Sequence, residues 1–144
     1  MADLPLLDTL FVYGTLRSHC RNRFATLLAE RATLVGPARA RGRLYRIGSY
    51  PGLVPSEAPD EWVTGELYRL HNASALLPIL DDYEGCGPRH VAPFEFQRII
   101  SEALPDGKQP VRCWLYICSN LARVREENRI PSGDFINSAP VDNG

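Results

Sequence analysis

Two helical patterns in 144 residues, set among strand-like runs that do not alternate with them, limit the folds open to this chain. Thr9 to Tyr13 reads as a strand, and Arg21 to Glu30 as a short helix with Phe24, Leu27 and Leu28 on one face. Arg31 to Ile47 is strand-like but interrupted at Gly36-Pro37 and Gly42, which predicts one bulged strand or two strands. Ser49-Tyr50-Pro51-Gly52 reads as a turn and Trp62 to Leu70 as an alternating strand. Asn72 caps a second helix, Ala73 to about Tyr83, that buries Leu76, Leu77 and Leu80. Pro78 removes one hydrogen bond from its interior, and Gly85 lies just past its end. Phe94 to Glu102 and Val111 to Cys118 flank Pro105-Asp106-Gly107-Lys108, a hairpin signal. The order is not regular βαβ alternation. It predicts an α+β fold: a compact mixed, largely antiparallel β-barrel or curved sheet with two short flanking helices.

A chain of this length reads as a single domain, 1–144, large enough to bury a core without metal or disulfide staples. The tail from about residue 131 is small, polar and proline-containing, and is expected to be poorly structured. Lys and Arg number 16 against 17 Asp and Glu, a net charge of −1 that gives no electrostatic case for nucleic acid or a membrane surface. No apolar run approaches the roughly 20 residues of a membrane helix, and the N-terminus does not read as a signal peptide. Cys20, Cys86, Cys113 and Cys118 form no C-x-x-C pair and read as free thiols of a cytoplasmic protein. His19, His71 and His90 are scattered without metal-ligand spacing, so neither a metal nor another cofactor is expected.

Two segments carry chemistry. In Tyr13-Gly14-Thr15-Leu16-Arg17 a strand stops at a glycine, where successive backbone N–H groups converge on an anion and Thr15 adds a hydroxyl. A plain strand-to-helix turn is the alternative reading, and the G-x-G-x-x-G and P-loop patterns are missing. In Leu80-Asp81-Asp82-Tyr83-Glu84-Gly85, Glu84 ends a helix next to two acids. The dipole, the like charges and partial burial once the barrel closes over it oppose its ionisation, which predicts a pKa above the ordinary value of about 4.3. Such a carboxyl accepts and returns a proton within a turnover. The alternative is a solvated acidic helix end. Glu66 is a second candidate acid, with pairing to Arg43 or Arg98 as its structural alternative. Trp114 and Tyr116 share a strand face that is core or, for Tyr116, a hydroxyl in a pocket.

Together with Gly42-Arg43-Leu44-Tyr45, Gly48-Ser49-Tyr50-Pro51-Gly52, Val63-Thr64-Gly65-Glu66-Leu67-Tyr68, Arg98 and Trp114-Leu115-Tyr116, these segments resemble the gamma-glutamylcyclotransferase-like proteins, close to the gamma-glutamylamine cyclotransferase branch. The resemblance implies a mixed barrel with flanking helices. It implies that the loop of Tyr13, Gly14, Thr15 and Leu16 binds the substrate's α-carboxylate end, that Glu84 is the acid/base, and that Tyr116 supplies a pocket hydroxyl. The implied reaction releases 5-oxoproline and an amine from a small gamma-glutamyl amine or peptide, without metal or cofactor. Ser18-His19-Cys20, Phe96 and Cys86-Gly87-Pro88-Arg89-His90 depart from the family pattern and bear on the leaving group. The rival reading is a non-catalytic binding module for a small carboxylate metabolite. The sequence leaves the leaving amine and the oligomeric state open.

Overall fold

Five strands close into a barrel in the order β1 (Thr9–Val12), β5 (Trp62–Leu70), β2 (Ala32–Arg41), β6 (Phe96–Pro105) and β7 (Val111–Cys118). This is read from a computed structural model that describes residues 7–14, 23–47, 50–84 and 96–135. A second sheet places β3 (Arg43–Ile47) between β4 (Tyr50–Val54) and β8 (Arg129–Ile130). Two helices, α1 (Arg23–Arg31) and α2 (Ala73–Glu84), complete the described architecture with two short 3₁₀ turns. Barrel neighbours pair antiparallel except β1 and β7, which run parallel and meet at Leu10 and Trp114. The mixed, largely antiparallel barrel expected from the sequence is present, with the small second sheet added to it.

Strand periodicity divides the core in two. Leu10, Val12, Tyr68, Leu70, Tyr116 and Cys118 pack with Leu28, Leu76, Leu77 and Leu80 of the helices. Phe11, Tyr13, Val63, Leu67, Cys113 and Leu115, on the opposite faces of the same strands, fill the barrel. Strand β2 serves both clusters because its register against β5 shifts between Leu34 and Gly36. Ala32 therefore joins the helix-side cluster while Ala38 and Ala40 face the interior. An uninterrupted strand would keep these even-numbered residues on one face. Gly36 sits at φ +142°, a state that side chains rarely adopt.

Several expectations need correction. Ser49-Tyr50-Pro51-Gly52 reads as a turn in sequence; Ser49 lies outside the described residues, and Tyr50–Val54 is a strand whose Pro51 lies opposite Arg46. Proline is tolerated there because β4 is the edge of its sheet. Arg31 ends α1, and 32–47 is two strands parted at Gly42 with the first bulged, as the interruptions at Gly36-Pro37 and Gly42 predict. Strand β6 runs to Pro105, and α2 continues through Pro78 to include Glu84. Pro78 is exposed, so its ring does not disturb the buried face. Asn72 opens α2 as expected, its carbonyl accepting from the Leu76 N–H at 3.0 Å and its side chain from the Ser74 hydroxyl at 3.0 Å. Strand β8 escaped the sequence reading, since two residues carry no period.

The first part of the tail has defined contacts. The Gly133 carbonyl accepts from the Thr64 N–H at 2.7 Å, and Arg46 lies over the Phe135 ring at 4.9 Å. Residues from 136 onward lie outside the described residues.

Candidate active site

Glu84 is the last residue of α2. Leu76, Leu77 and Leu80 press that helix onto the barrel, and the same face carries Asp81 and Glu84 onward at its C-terminal end. Glu84 is half-buried. Burial, and after it the charge of Asp81, pushes its carboxyl up to about 7. The expected raised pKa is therefore present, with burial as its main cause. Two phenols are within electrostatic reach of the same carboxylate. Burial raises Tyr13 well above its ordinary value, and the negative charge of Glu84 raises it further. Tyr116 is raised by burial, by its hydrogen bond to Asp81, and by the charges of Asp81 and Glu84. Tyr13, Tyr116 and Asp81 thus lie within electrostatic range of Glu84.

Each has a specific tether. The Tyr13 hydroxyl donates to the Tyr116 carbonyl at 2.6 Å and accepts from the Leu53 N–H at 3.1 Å. It pins the end of β1 to β7 and β4 from inside the core. Gly14 follows. Its backbone is outside the left-handed region, but a Cβ there would stand 2.7 Å from Pro51 Cγ. Glycine is required by close approach of β4 rather than by a special φ. Thr15 and Leu16 lie outside the described residues, as do Arg17, Cys20, Asn22, Gly85 and Cys86 to His90.

The Tyr116 hydroxyl donates to Asp81 Oδ1 at 2.7 Å. Arg98 grips the same carboxylate with two prongs, Nε at 2.7 Å and Nη2 at 3.0 Å, while its guanidinium lies 4.2 Å over the Trp114 ring. Asp81 and Arg98 were not singled out from sequence as partners. Counting outward from the Pro105–Lys108 turn sets Arg98 opposite Leu115, and the actual register, one residue on, sets it opposite Tyr116. Trp114 donates its indole N–H to the Leu7 carbonyl at 2.7 Å.

Of the arginines considered for Glu66, Arg98 holds Asp81 at 2.7 Å and Arg43 holds Glu61 at 2.8 Å. Glu61 also accepts from Arg129 at 3.1 Å and from the Ser56 hydroxyl. The Arg43 and Ser56 hydrogen bonds lower its carboxyl to about 2. This cluster borders a cavity of about 130 Å³ that shares no lining residue with Tyr13, Tyr116, Asp81 or Glu84. It joins β3, β8 and the segment before β5. A depressed folded pKa means stability that is present above about 4.5 and lost as pH falls through about 2. Glu61→Gln should accordingly melt below wild type at pH 7, with the gap narrower at pH 3. The gap will be modest, because Arg43 is largely solvated. Thermal unfolding at both pH values measures it, and an equal gap at both argues against the ion-pair account.

Among the described residues no group of three or more His, Cys, Asp or Glu is placed to hold a metal. No described helix is long and apolar enough to cross a membrane. Cys113 and Cys118 are buried free thiols on opposite strand faces.

A mixed barrel with a half-buried acid at the end of a flanking helix places the chain in a class of small α+β proteins with a defined family. Residues 10–137 match the family "Gamma-glutamyl cyclotransferase, AIG2-like", and the chain belongs to it. A 59-residue stretch, 41% of this chain and 21% of its relative, is 39% identical to YkqA of Bacillus subtilis, provisionally named a gamma-glutamylcyclotransferase. The chain thus spans about a fifth of that relative in this alignment. The crystal structure of YkqA matches 90% of this chain and 39% of its own length at TM-score 0.65 and 24% identity. An AIG2-like protein from Mus musculus matches with TM-score 0.67 and 24% identity, covering 90% of this chain and 88% of that one. At these identities the two structures establish the fold.

Proposed function

We propose that this protein is a cyclotransferase that releases 5-oxoproline and an amine from a gamma-glutamyl amine or peptide, with Glu84 as its acid/base. One observation carries this reading. The charge of Glu84, a carboxyl brought near neutrality by burial, acts on Tyr13, the first residue of the candidate loop. Family membership supports the reaction class.

The reaction needs orientation and the movement of one proton. The α-amine nitrogen of the substrate attacks the γ-carbonyl carbon and forms the new C–N bond of a five-membered ring. Glu84, ionised, takes the proton that this nitrogen sheds. It then delivers that proton to the departing nitrogen as the original amide C–N bond breaks. A carboxyl with a pKa near the working pH serves both halves. Holding the nucleophile and carbonyl in one molecule removes the entropy cost of a second reactant. Backbone N–H groups of the Tyr13–Leu16 loop are assigned to the substrate's α-carboxylate, and the Tyr116 oxygen, its proton given to Asp81, can accept from the amine.

The test is a panel of gamma-glutamyl amines and peptides assayed for 5-oxoproline. Release from at least one of them is the expected result. Saturable binding of panel members with no ring closure would instead make the protein a binding module.

A further inference from the structure

We propose that Asp81 is the positioning residue of this site: clamped between β6 and β7, it fixes the last turn of α2 and keeps a negative charge beside the Glu84 carboxyl. This rests on the reading of Glu84 as the proton-transferring group.

The geometry supports a dedicated role. Asp81 receives three hydrogen bonds, two from Arg98 and one from the Tyr116 hydroxyl, all between 2.7 and 3.0 Å. Charge-assisted, two-pronged contacts of this kind fix orientation as well as distance. Both donors come from residues directly opposite each other on β6 and β7, so one rigid hairpin sets both. Arg98 is itself held flat over Trp114 at 4.2 Å. The ion pair is well shielded, with side chains 22% and 16% exposed.

Simple attachment of α2 does not call for this arrangement. Leu76, Leu77 and Leu80, all nearly inaccessible, already anchor the helix. Two acids a single turn apart on one helix face repel each other, and the last turn of α2 contains no basic residue to offset the negative end of the dipole. Arg98, reaching across from β6, is the compensating cation. The pair thus holds Asp81 in place where its charge acts on Glu84, three residues on. The groups within electrostatic reach of Glu84 are Tyr13 from the end of β1, Tyr116 from β7 and Asp81 of α2 itself, with Arg98 from β6 bonded to Asp81 and acting on Tyr116. The two phenols are raised and stay neutral, so Asp81 and its partner Arg98 are the charged pair beside Glu84.

Carbon-13 carboxyl NMR of the full chain, titrated with pH and with the Glu84 signal identified by its loss in Glu84→Gln, tests this directly. In Asp81→Asn the Glu84 midpoint should fall by about one pH unit or more, because a like charge is gone. In Arg98→Gln it should rise, because the compensating cation is gone. Arg98→Lys should bring it back toward wild type. Opposite shifts from the two charge-removing variants are the signature, since loosened packing alone does not give opposite signs. A Glu84 midpoint unmoved in Asp81→Asn, or shifts of the same sign in both, overturns the proposal. Should Asp81→Asn fail to fold, Arg98→Gln against Arg98→Lys decides it. The titration needs no turnover, so this inference and the cyclotransferase reading can fail separately.

Discussion

Glu84→Gln should lower kcat by roughly 10²–10⁴-fold while leaving KM within a few-fold of wild type, the usual cost of losing a general base. Gln keeps the size and the planar shape of the side chain but cannot take a proton. Substrate contacts assigned to the Tyr13–Leu16 backbone are untouched by the change, so binding should survive. In the wild-type protein kcat/KM should fall as pH drops through about 7, where Glu84 becomes protonated and stops acting as a base. The measurement is the rate of 5-oxoproline release for both proteins, on a substrate found in the panel, between pH 5 and 9. Full activity in Glu84→Gln would show that another group moves the proton.

Much of this architecture was legible before the structure because it follows from local rules. The alternation in Trp62–Leu70, the apolar spacing of Leu76, Leu77 and Leu80, and the Asp106-Gly107 turn each fix an element without reference to the rest. What the sequence hid depends on contacts between distant segments. Tyr50-Pro51-Gly52 looks like a turn until β3 pairs with it. Gly14 looks like a residue chosen for its φ until Pro51 is seen to fill the space where a Cβ would stand. Glu84 could be nominated from its helix-end position, but the dominant cause of its raised pKa is burial. Burial is a property of the closed barrel. The Asp81–Arg98 pair was harder still, because it requires both the β6–β7 register and the docking angle of α2.

The same carboxyl that would carry the chemistry should weaken the fold near neutral pH. Glu84 ionises at about 7 when folded and near 4.5 when unfolded. The folded chain therefore holds its proton more tightly between those values. Stability falls as pH rises across this window and levels off above it. With each pKa unit equivalent to about 1.4 kcal/mol, the full effect is about 3 kcal/mol. Below pH 4 both states are protonated and the group contributes nothing to the difference. Glu84→Gln lacks the titration. It should match wild type at pH 4 and exceed it progressively up to pH 7.5, the opposite trend to the one expected for Glu61→Gln. Denaturant unfolding of both proteins at several pH values reads the difference. A Glu84→Gln variant less stable than wild type at neutral pH would mean that Glu84 is held ionised in the folded state, which would remove the physical basis for its use as a base with a pKa near the working pH.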